Sequence, residues 1–299
     1  MTEATQTQGD LARVQRIGMA STAIGFWFVS IGPVIAAASD IGGLSMGWWR
    51  SWIGLLVLFV LVARKGQLSW DLAMPTLVPG ICFGLSTSMF FWANQLTSIV
   101  NASLIAALQP IPIAIFATFV FGEVLTRRDL GWGVIAVGGA AMLALAGESA
   151  GGGSLKGDLV AAISISIGSL YFVVAKTALR KLDILPFMLG VFAWSTLMMT
   201  PVMLFSGQQI VATSGGDWIR VVGIGVLPGL GHVFLNYAQG RAPLKIMGLI
   251  GLTLPVSSTL LGLWFLNQKV SAGQAIAMAV VIAALAAHTL TQKTDNARA

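Results

Sequence analysis

Long apolar runs separated by short polar breaks form the pattern of the whole chain. The first run covers residues 17–38, and nine others follow at 44–63, 72–95, 98–121, 128–146, 157–179, 184–206, 217–238, 244–266 and 272–290. A helix needs roughly 20 apolar residues to cross the hydrocarbon core of a bilayer, and each run is close to that length. The pattern therefore predicts an all-α polytopic membrane protein with ten transmembrane helices.

The breaks between the runs carry residues that are typical of turns, as in the segments that begin at Thr126 and Ser214. They are too short to hold a separate soluble domain. The first run is longer than the core of a signal peptide, and no small-residue cleavage signal stands out near it. We therefore expect a first helix that is retained.

Composition and charge narrow the class of protein further. Hydrophobic residues make up 56% of the 299 residues and charged residues only 9%, whereas a soluble domain carries roughly 25% charged residues. So few charges exclude a nucleic-acid-binding protein, although the net charge is +6. A single cysteine, Cys82, excludes an internal disulfide, and the two histidines lie far apart in sequence. We predict no metal site and no cofactor.

The positions of lysine and arginine predict the orientation in the membrane. If the N-terminus lies in the cytoplasm, the outer loops hold only Lys156 and Lys269. The inner segments then hold Arg13, Arg16, Arg64, Lys65, Arg127, Arg128, Arg180, Lys181, Arg241, Lys245, Lys293 and Arg298. This asymmetry predicts that both termini are cytoplasmic.

The chain also contains an internal repeat. With a shift of 145 residues, glycines and prolines fall into register as Gly80 with Gly225, Gly84 with Gly229 and Pro110 with Pro255, and with a shift of 143 as Gly25 with Gly168 and Gly47 with Gly190. Each repeat has five helices, an odd number, so the halves must enter the membrane from opposite sides. The predicted parts are an N-terminal tail, a first repeat, a periplasmic linker, a second repeat and a C-terminal tail, at 1–16, 17–147, 148–156, 157–290 and 291–299.

Three short motifs carry a resemblance to a known family: Arg50 in Gly47-Trp-Trp-Arg, Pro110 in Leu108-Gln-Pro, and Phe121-Gly-Glu-Val-Leu-Thr. Over residues 17–290 the chain resembles the drug/metabolite transporter superfamily in its ten-helix form with two EamA-type halves. Within it, the pattern is most similar to the YddG-type exporters of aromatic amino acids. The resemblance implies a bacterial inner-membrane protein whose central cavity is lined mainly by helices 1, 3, 4, 6, 8 and 9. The second half departs from the pattern at Asn267-Gln268, where many relatives carry Gly-Glu.

Aromatic residues near the middle of the membrane are the first candidates for substrate binding. Trp27 and Phe28 lie midway along the first predicted helix and Tyr171 midway along the sixth, and Phe28 and Tyr171 are related by the repeat. Paired aromatic faces could stack on a planar side chain at the midplane site that inverted repeats use. They could equally be packing residues.

The third and eighth predicted helices bring polar and aromatic groups to positions related by the repeat. The candidates on them are Ser88, Trp92, Asn236 and Tyr237, while Asn94 and Gln239 are interpreted as helix caps. Amides can bond both ends of a zwitterion. Trp92 and Trp264 fall near outer helix ends, where they either belong to an aromatic belt or form an outer gate.

The fourth and ninth predicted helices each contain a proline, which removes a backbone hydrogen bond and frees a carbonyl group. Pro110 and Pro255 are therefore candidate hinges, although a proline can also be a static kink. Asn101 and Gln109 are eight residues apart on the fourth helix, so they share a face and are further candidates for substrate binding.

Three basic residues fall within predicted helices. Arg50 lies about two turns inside the second helix, where a charge costs about 2.5–3.5 kcal/mol or more. It is expected to bind a substrate carboxylate or to bond helix-end carbonyl groups. Lys176 could snorkel to the inner surface or turn inward as a second carboxylate partner. His232 is expected to be a neutral hydrogen-bonding residue rather than a proton carrier.

The eleven acidic residues all fall in tails, loops or helix ends. This argues against the export of large lipophilic cations, which needs an intramembrane carboxylate, and it leaves the coupling ion open. We predict an exporter of amino acids, with aromatic or neutral side chains favoured, and of related small metabolites. It is expected to work by alternating access, and facilitated diffusion fits the sequence at least as well as ion coupling. The alternatives are an exchanger of phosphorylated metabolites or nucleotide sugars, and a non-transporting assembly factor.

The expected partners of the chain are its small-molecule substrate and the lipid bilayer, with no nucleic acid and no obligatory protein partner. A membrane enzyme would need a nucleophile with its base, or a pair of acids, within the spans. The sequence places no such constellation there. We therefore do not expect an enzyme.

Overall fold

The computed structural model describes residues 2–39, 41–97, 105–147, 154–211, 214–267 and 269–296, and within these ranges it contains helices and loops but no strand. Its helices are α1 Thr2–Ala37, α2 Gly43–Arg64, α3 Ala73–Leu96, α4 Pro110–Phe121, α5 Arg127–Gly147, α6 Leu155–Ala178, α7 Ile184–Phe205, α8 Gly215–Gln239, α9a Leu244–Gly251, α9b Thr253–Leu266 and α10 Ala272–Asn296. A short 3-10 turn at Trp70–Leu72 precedes α3.

The ten-helix prediction is confirmed. Seven segments are long and apolar enough to cross a membrane, and they correspond to α1, α2, α3, α6, α7, α8 and the combined α9a and α9b. Two shorter apolar segments, 105–121 and 272–288, contain α4 and begin α10. The 21 residues of α5 complete the set of ten in the part of the chain that the structure describes.

The helix α1 begins at Thr2, well before the first apolar run, which starts at position 17. The polar stretch contains alanine, glutamine, glutamate and arginine and has no proline, so its residues favour a helix even where they are not apolar. Hydropathy thus locates the apolar part of α1 but not its first turn.

Helix packing follows the two-repeat pattern. Each helix has a counterpart five places along in the order of the ten helices. The contact of α3 with α6 therefore corresponds to that of α8 with α1, and the contact of α3 with α7 corresponds to that of α8 with α2. The contact of α4 with α6 likewise corresponds to that of α9b with α1. Three further contacts map onto themselves: α2 with α7, α4 with α9a, and α5 with α10.

The fourth and ninth spans are interrupted at related positions. Before α4, the amide of Leu108 donates to the carbonyl of Ile105 at 2.9 Å, a tight turn that ends where Pro110 begins the helix. Between α9a and α9b, the amide of Leu252 donates to the carbonyl of Leu249 at 3.0 Å in the same kind of turn. Discontinuous helices of this kind surround the binding sites of many transporters with inverted repeats.

The ends of α4 and α9b are also related. Gly122 follows α4 with φ 66°, and Asn267 follows α9b with φ 52°, so both helices end in the left-handed conformation. Glycine adopts this conformation without strain, and asparagine is the usual substitute. The departure from the family pattern at Asn267 therefore keeps the backbone of the cap.

The loops after α2, α4, α6 and α8 lie at one end of the bundle, and we call it the basic end because it carries Arg64, Lys65, Arg127, Arg128, Arg180, Lys181, Arg241 and Lys245. The loops after α1, α3, α7 and α9b lie at the opposite end. There, the hydroxyl of Thr97 donates to Asp158 at 2.6 Å and that of Ser39 to Asp217 at 3.0 Å.

Glycines allow α1 and α8 to cross at close range. A Cβ atom on Gly231 would lie 2.7 Å from the carbonyl oxygen of Gly25, and one on Gly25 would lie 2.9 Å from the carbonyl oxygen of Gly231. Small residues at a crossing let the backbones of two membrane helices pack this closely. At the related crossing of α3 and α6, the hydroxyl groups of Ser86 and Ser164 each donate to the other residue's carbonyl oxygen, at 2.9 and 2.8 Å.

We expect Gly231→Ala to destabilise the protein by about 1–3 kcal/mol, because the new methyl group meets a backbone carbonyl group that cannot move aside. The matched control is Gly229→Ala on the same helix, where a Cβ atom meets nothing within 4 Å. Thermal unfolding of the purified variants in detergent measures the difference. Equal melting temperatures for the two variants would contradict the close crossing.

Candidate functional site

Four aromatic rings meet around Phe83 in the interior of the bundle. The ring centroid of Phe83, on α3, lies 5.2 Å from that of Tyr171 on α6, 5.7 Å from that of Phe192 on α7 and 4.9 Å from that of His232 on α8. Phe83, Tyr171 and Phe192 are all buried. We call these four residues the Phe83 cluster. It brings helices of both repeats together.

Arg50 extends from α2 onto the Phe83 cluster. Its Nη2 lies 2.9 Å from Nε2 of His232, and its Cζ lies 5.6 Å from the centroid of the Phe83 ring. A guanidinium group can only donate, so Nε2 of His232 must accept. The imidazole therefore carries its proton on Nδ1 and is neutral.

A second chain of polar contacts begins at Tyr171. Its hydroxyl donates to Oδ1 of Asn236 at 3.0 Å, and Nε2 of Gln239 donates to the same oxygen at 3.2 Å. All three side chains are buried. Gln239 therefore holds Asn236 in place rather than only capping α8, while its own Oε1 has no hydrogen-bond partner in the described part of the chain.

Arg50 carries a charge that no acid in the described part of the chain neutralises. Over the described residues no carboxylate pairs with Arg50, because the ion pairs there join Lys176 to Glu123, Arg220 to Asp217, and Lys245 and His288 to Asp129. Arg50 and His232 are also partly exposed, although buried rings surround them. Neither side chain is therefore completely covered by its neighbours.

Gln109 and Ser88 are further candidates that are half-buried and buried in the bundle. Gln109 occupies the turn before α4 and is half-buried, and its Nε2 would lie 3.5 Å from a Cβ atom on Gly168, one turn from Tyr171 along α6. Ser88 on α3 is buried, and its hydroxyl has no hydrogen-bond partner among the described groups. Asn101 lies outside the described residues.

The other aromatic candidates have separate partners. Phe28 stacks on Phe234 with ring centroids 6.1 Å apart and an interplanar angle of 6°. The ring centroids of Trp27 and Trp264 lie 6.4 Å apart, and both side chains are exposed. Phe28 therefore faces α8 and not its repeat counterpart Tyr171.

Two further candidates hold cations over their rings. Nζ of Lys156 lies 5.8 Å from the centroid of Trp92, and Cζ of Arg241 lies 3.6 Å from that of Tyr237. Contacts of this kind are cation–π interactions. Among the described residues, neither the Trp92 ring nor the Tyr237 ring contacts the Phe83 cluster.

Lys176 lies at the basic end in an ion pair. Its Nζ lies 2.9 Å from Oε1 of Glu123, which follows α4, and 4.8 Å from the centroid of the Phe121 ring. Glu123 also accepts the backbone amides of Leu244 and Lys245 at 3.0 and 3.1 Å. The carboxylate thus satisfies the first amides of α9a, a stabilising position for an anion.

Asp129 extends this set of contacts to α10. Its carboxylate lies 2.8 Å from Nζ of Lys245 and 2.9 Å from Nε2 of His288, and it also accepts the backbone amide of Thr126. We call Glu123, Asp129, Lys176, Lys245 and His288 the basic-end network. It joins acids of the first repeat to cations and a histidine of the second.

The sequence interpretation missed Phe83, Glu123 and Asp129 as residues that organise the interior and the basic end. Phe83 is one of 15 phenylalanines, and nothing in its sequence position separates it from a packing residue. Glu123 carried a signal, since it is an acid directly after a predicted helix. That signal does not reveal which helix the carboxylate caps.

Comparison with known proteins identifies the family. The model of the EamA-like transporter family matches residues 16–145 and 155–289, one segment for each five-helix half. The chain belongs to the EamA-like transporter family. The predicted membership of the drug/metabolite transporter superfamily is therefore confirmed.

Two similar proteins refine the comparison with this EamA-like chain. The aromatic amino acid exporter YddG of Ancylobacter novellus is 27% identical over 208 residues, which cover 67% of this chain and 70% of that protein. A crystal structure of a protein with 22% identity aligns with a TM-score of 0.79 and covers 95% of this chain and 98% of the other. At that identity the structural likeness supports the fold alone.

Proposed function

We propose that this EamA-like transporter exports aromatic and other neutral amino acids across the bacterial inner membrane by alternating access. The observation that carries the proposal is Arg50, a partly exposed cation in contact with the Phe83 cluster that has no acidic partner in the described interior. A charge inside a membrane protein is costly and usually serves a function. A substrate carboxylate is the partner that Arg50 lacks.

The residues around Arg50 suit both the carboxylate and the aromatic ring of an aromatic amino acid. Arginine presents N–H groups that match the two oxygens of a carboxylate. Rings in contact with the guanidinium group can pack edge-on or offset against an aromatic side chain. The likeness to a protein named as an aromatic amino acid exporter favours this substrate class.

We propose transport without proton coupling. The acids of the described helices lie at helix ends, where Glu123, Asp129 and Asp217 are bonded to basic groups. His232 already accepts a hydrogen bond from Arg50, so its free lone pair is in use. Because these groups are already bonded, none of them is free to carry a proton through the cycle. The substrate then moves down its own gradient without a coupled ion.

The alternative of a phosphorylated substrate is less well supported. A phosphate group carries nearly two negative charges and would need several cations facing the cavity. The two cations that could face the cavity are Arg50 and Lys176. Lys176 is already paired with Glu123, so of these two only Arg50 lacks an acidic partner within the described helices. The two interrupted spans favour a transporter over an assembly factor.

We propose that the interrupted spans flex at Pro110 and Pro255 and that Trp92 and Trp264 lie near the outer mouth. Asn101, Gln109, Asn236, Ser88, Trp27, Phe28 and Tyr237 remain proposed contributors to the cavity around Arg50. In this arrangement the basic end faces the cytoplasm, as the positive-inside rule favours. Both termini then lie in the cytoplasm and residues 148–156 form a periplasmic linker.

The orientation has a direct test. An enzymatic reporter that is active only in the cytoplasm, fused after Ala299, is expected to be active in cells that express the protein. The matched fusion is the same reporter inserted in the loop between α5 and α6, which should be inactive. A periplasmic signal from the C-terminal fusion would contradict the orientation.

The substrate assignment is tested in proteoliposomes that contain the purified protein. Counterflow of radiolabelled phenylalanine and tryptophan is expected without an imposed pH gradient, with threonine slower because its small side chain leaves the Phe83 cluster uncontacted. Empty liposomes provide the control. Flux that requires the gradient would overturn uncoupled transport, and no flux of any amino acid would overturn the substrate assignment.

A further inference from the structure

Within the described part of the chain, no acidic side chain pairs with Arg50 or lies in the Phe83 cluster to hold a substrate ammonium group. The described acids Asp158, Asp183 and Asp217 are bonded to Thr97, Gln67 and Arg220 at the ends of the bundle, and Glu123 and Asp129 belong to the basic-end network. The interior formed by the described residues therefore has a positive charge and no negative charge to match a zwitterion.

Two neutral acceptors at the Phe83 cluster, on Asn236 and His232, are already occupied. Oδ1 of Asn236 accepts hydrogen bonds from both Tyr171 and Gln239, which use its two lone pairs. Nε2 of His232 accepts from Arg50. Oε1 of Gln239 has no partner among the described residues but is fully buried, so a ligand at Arg50 does not reach it.

Most hydrogen-bond donors of Arg50 and His232, in contrast, have no partner among the described residues. A guanidinium group has five N–H donors, and the structure gives Arg50 one hydrogen bond, to His232. The proton on Nδ1 of His232 adds another donor without a partner in the described structure. Donors favour a carboxylate, whereas an ammonium group needs acceptors.

From this imbalance we infer that the site recognises the carboxylate and the ring of its ligand and gains little from the ammonium group. Aromatic monocarboxylates that lack an amino group are therefore ligands of the same site. The inference rests on the proposed function, because it concerns the same Arg50 and the same Phe83 cluster. A monocarboxylate places its only charge on Arg50, while a zwitterion must also bury an ammonium group whose lost hydration is not replaced.

Three compounds with the same ring separate the two charges. Phenylalanine carries both groups, 3-phenylpropanoate only the carboxylate, and phenethylamine only the ammonium. The measurement is displacement of radiolabelled phenylalanine from the purified protein in detergent, since uncharged carboxylic acids cross bilayers and would confuse a flux assay. We expect 3-phenylpropanoate to displace with an affinity within about threefold of phenylalanine, and phenethylamine to be at least about 100-fold weaker.

Each outcome decides the inference. If phenylalanine binds but 3-phenylpropanoate is more than about tenfold weaker, or phenethylamine displaces equally well, the inference is overturned while the proposed function stands. If phenylalanine itself does not bind, the amino acid assignment fails, and direct binding of labelled 3-phenylpropanoate is measured instead. Binding that Arg50→Gln abolishes then supports the inference, and absence of binding overturns it.

The control variant is Arg220→Gln. Arg220 pairs with Asp217 in the first turns of α8 at the opposite end, away from the Phe83 cluster. Both aromatic ligands are expected to bind this variant as they bind the unmodified protein. Because the comparison of the three compounds is made on the unmodified chain, the inference does not depend on any variant folding.

Discussion

Replacement of Arg50 by glutamine is expected to reduce phenylalanine transport by about 10- to 100-fold. Hydrogen bonds to a charged group contribute about 1.5–3 kcal/mol, and each 1.4 kcal/mol is a factor of ten in an equilibrium constant. Glutamine keeps one donor that can reach toward His232 but has no charge for the substrate carboxylate. Initial rates of counterflow in proteoliposomes, normalised to reconstituted protein, measure the loss.

The same variant separates a substrate-binding role from a structural one. Because no described carboxylate pairs with Arg50, its removal leaves no acid unpaired, and the melting temperature is expected to stay the same or rise. An arginine that held helix-end carbonyl groups would instead lower the melting temperature when it is lost. Arg220→Gln should keep full transport, and normal transport by Arg50→Gln would contradict the proposed site.

Much of the fold follows from patterns that physical constraints impose on the sequence. A span must be apolar over its whole length, so ten runs predict ten helices. Pro110 and Pro255 mark the interrupted spans because a proline cannot donate its backbone hydrogen bond. The glycines that fall into register include Gly25, where α1 meets α8 too closely for a side chain.

The interior contacts could not be predicted in the same way, because they depend on residues that the repeat does not preserve. Phe28 and Tyr171 occupy related positions, yet Phe28 stacks on Phe234, whose counterpart is Met89. Tyr171 packs on Phe83, whose counterpart is Pro228. A symmetric backbone thus carries asymmetric side-chain contacts.

The role of Lys176 illustrates the same limit for charges. From the sequence, the lysine could snorkel or face the cavity, and both expectations concern its own helix. Its partner Glu123 comes from the other repeat and follows a different helix. Which acid meets which cation at the basic end is a property of how the two halves dock, and a single sequence does not contain that information.

Replacement of Asp129 by asparagine is expected to lower the melting temperature on the order of 5–10 °C. Removing one partner of a buried ion pair costs about 3–5 kcal/mol, and in a chain of 299 residues each kcal/mol corresponds to about 2 °C. Asp129 is only 6% exposed, and its carboxylate holds both Lys245 and His288. Thermal unfolding in detergent measures the shift.

The control is Asp71→Asn, at the start of the 3-10 turn before α3. Asp71 is exposed, and its side chain accepts a hydrogen bond only from Ser69 in its own turn, within the described contacts. Its loss is expected to change the melting temperature by less than about 2 °C, since exposed polar groups contribute little. Equal effects of the two substitutions would contradict the basic-end network.

A double substitution tests the physical reason for the Asp129 effect. Asp129→Asn leaves the ammonium group of Lys245 without its carboxylate, while Lys245 still donates to the carbonyl oxygen of Val124 at 2.7 Å. If the unpaired charge causes most of the loss, Lys245→Gln in the Asp129→Asn background should recover part of the melting temperature. Additive effects of the two substitutions would show that the ion pair between the repeats contributes little. Recovery would instead show that this pair joins the two halves at the basic end, where the proposed transport cycle must separate them.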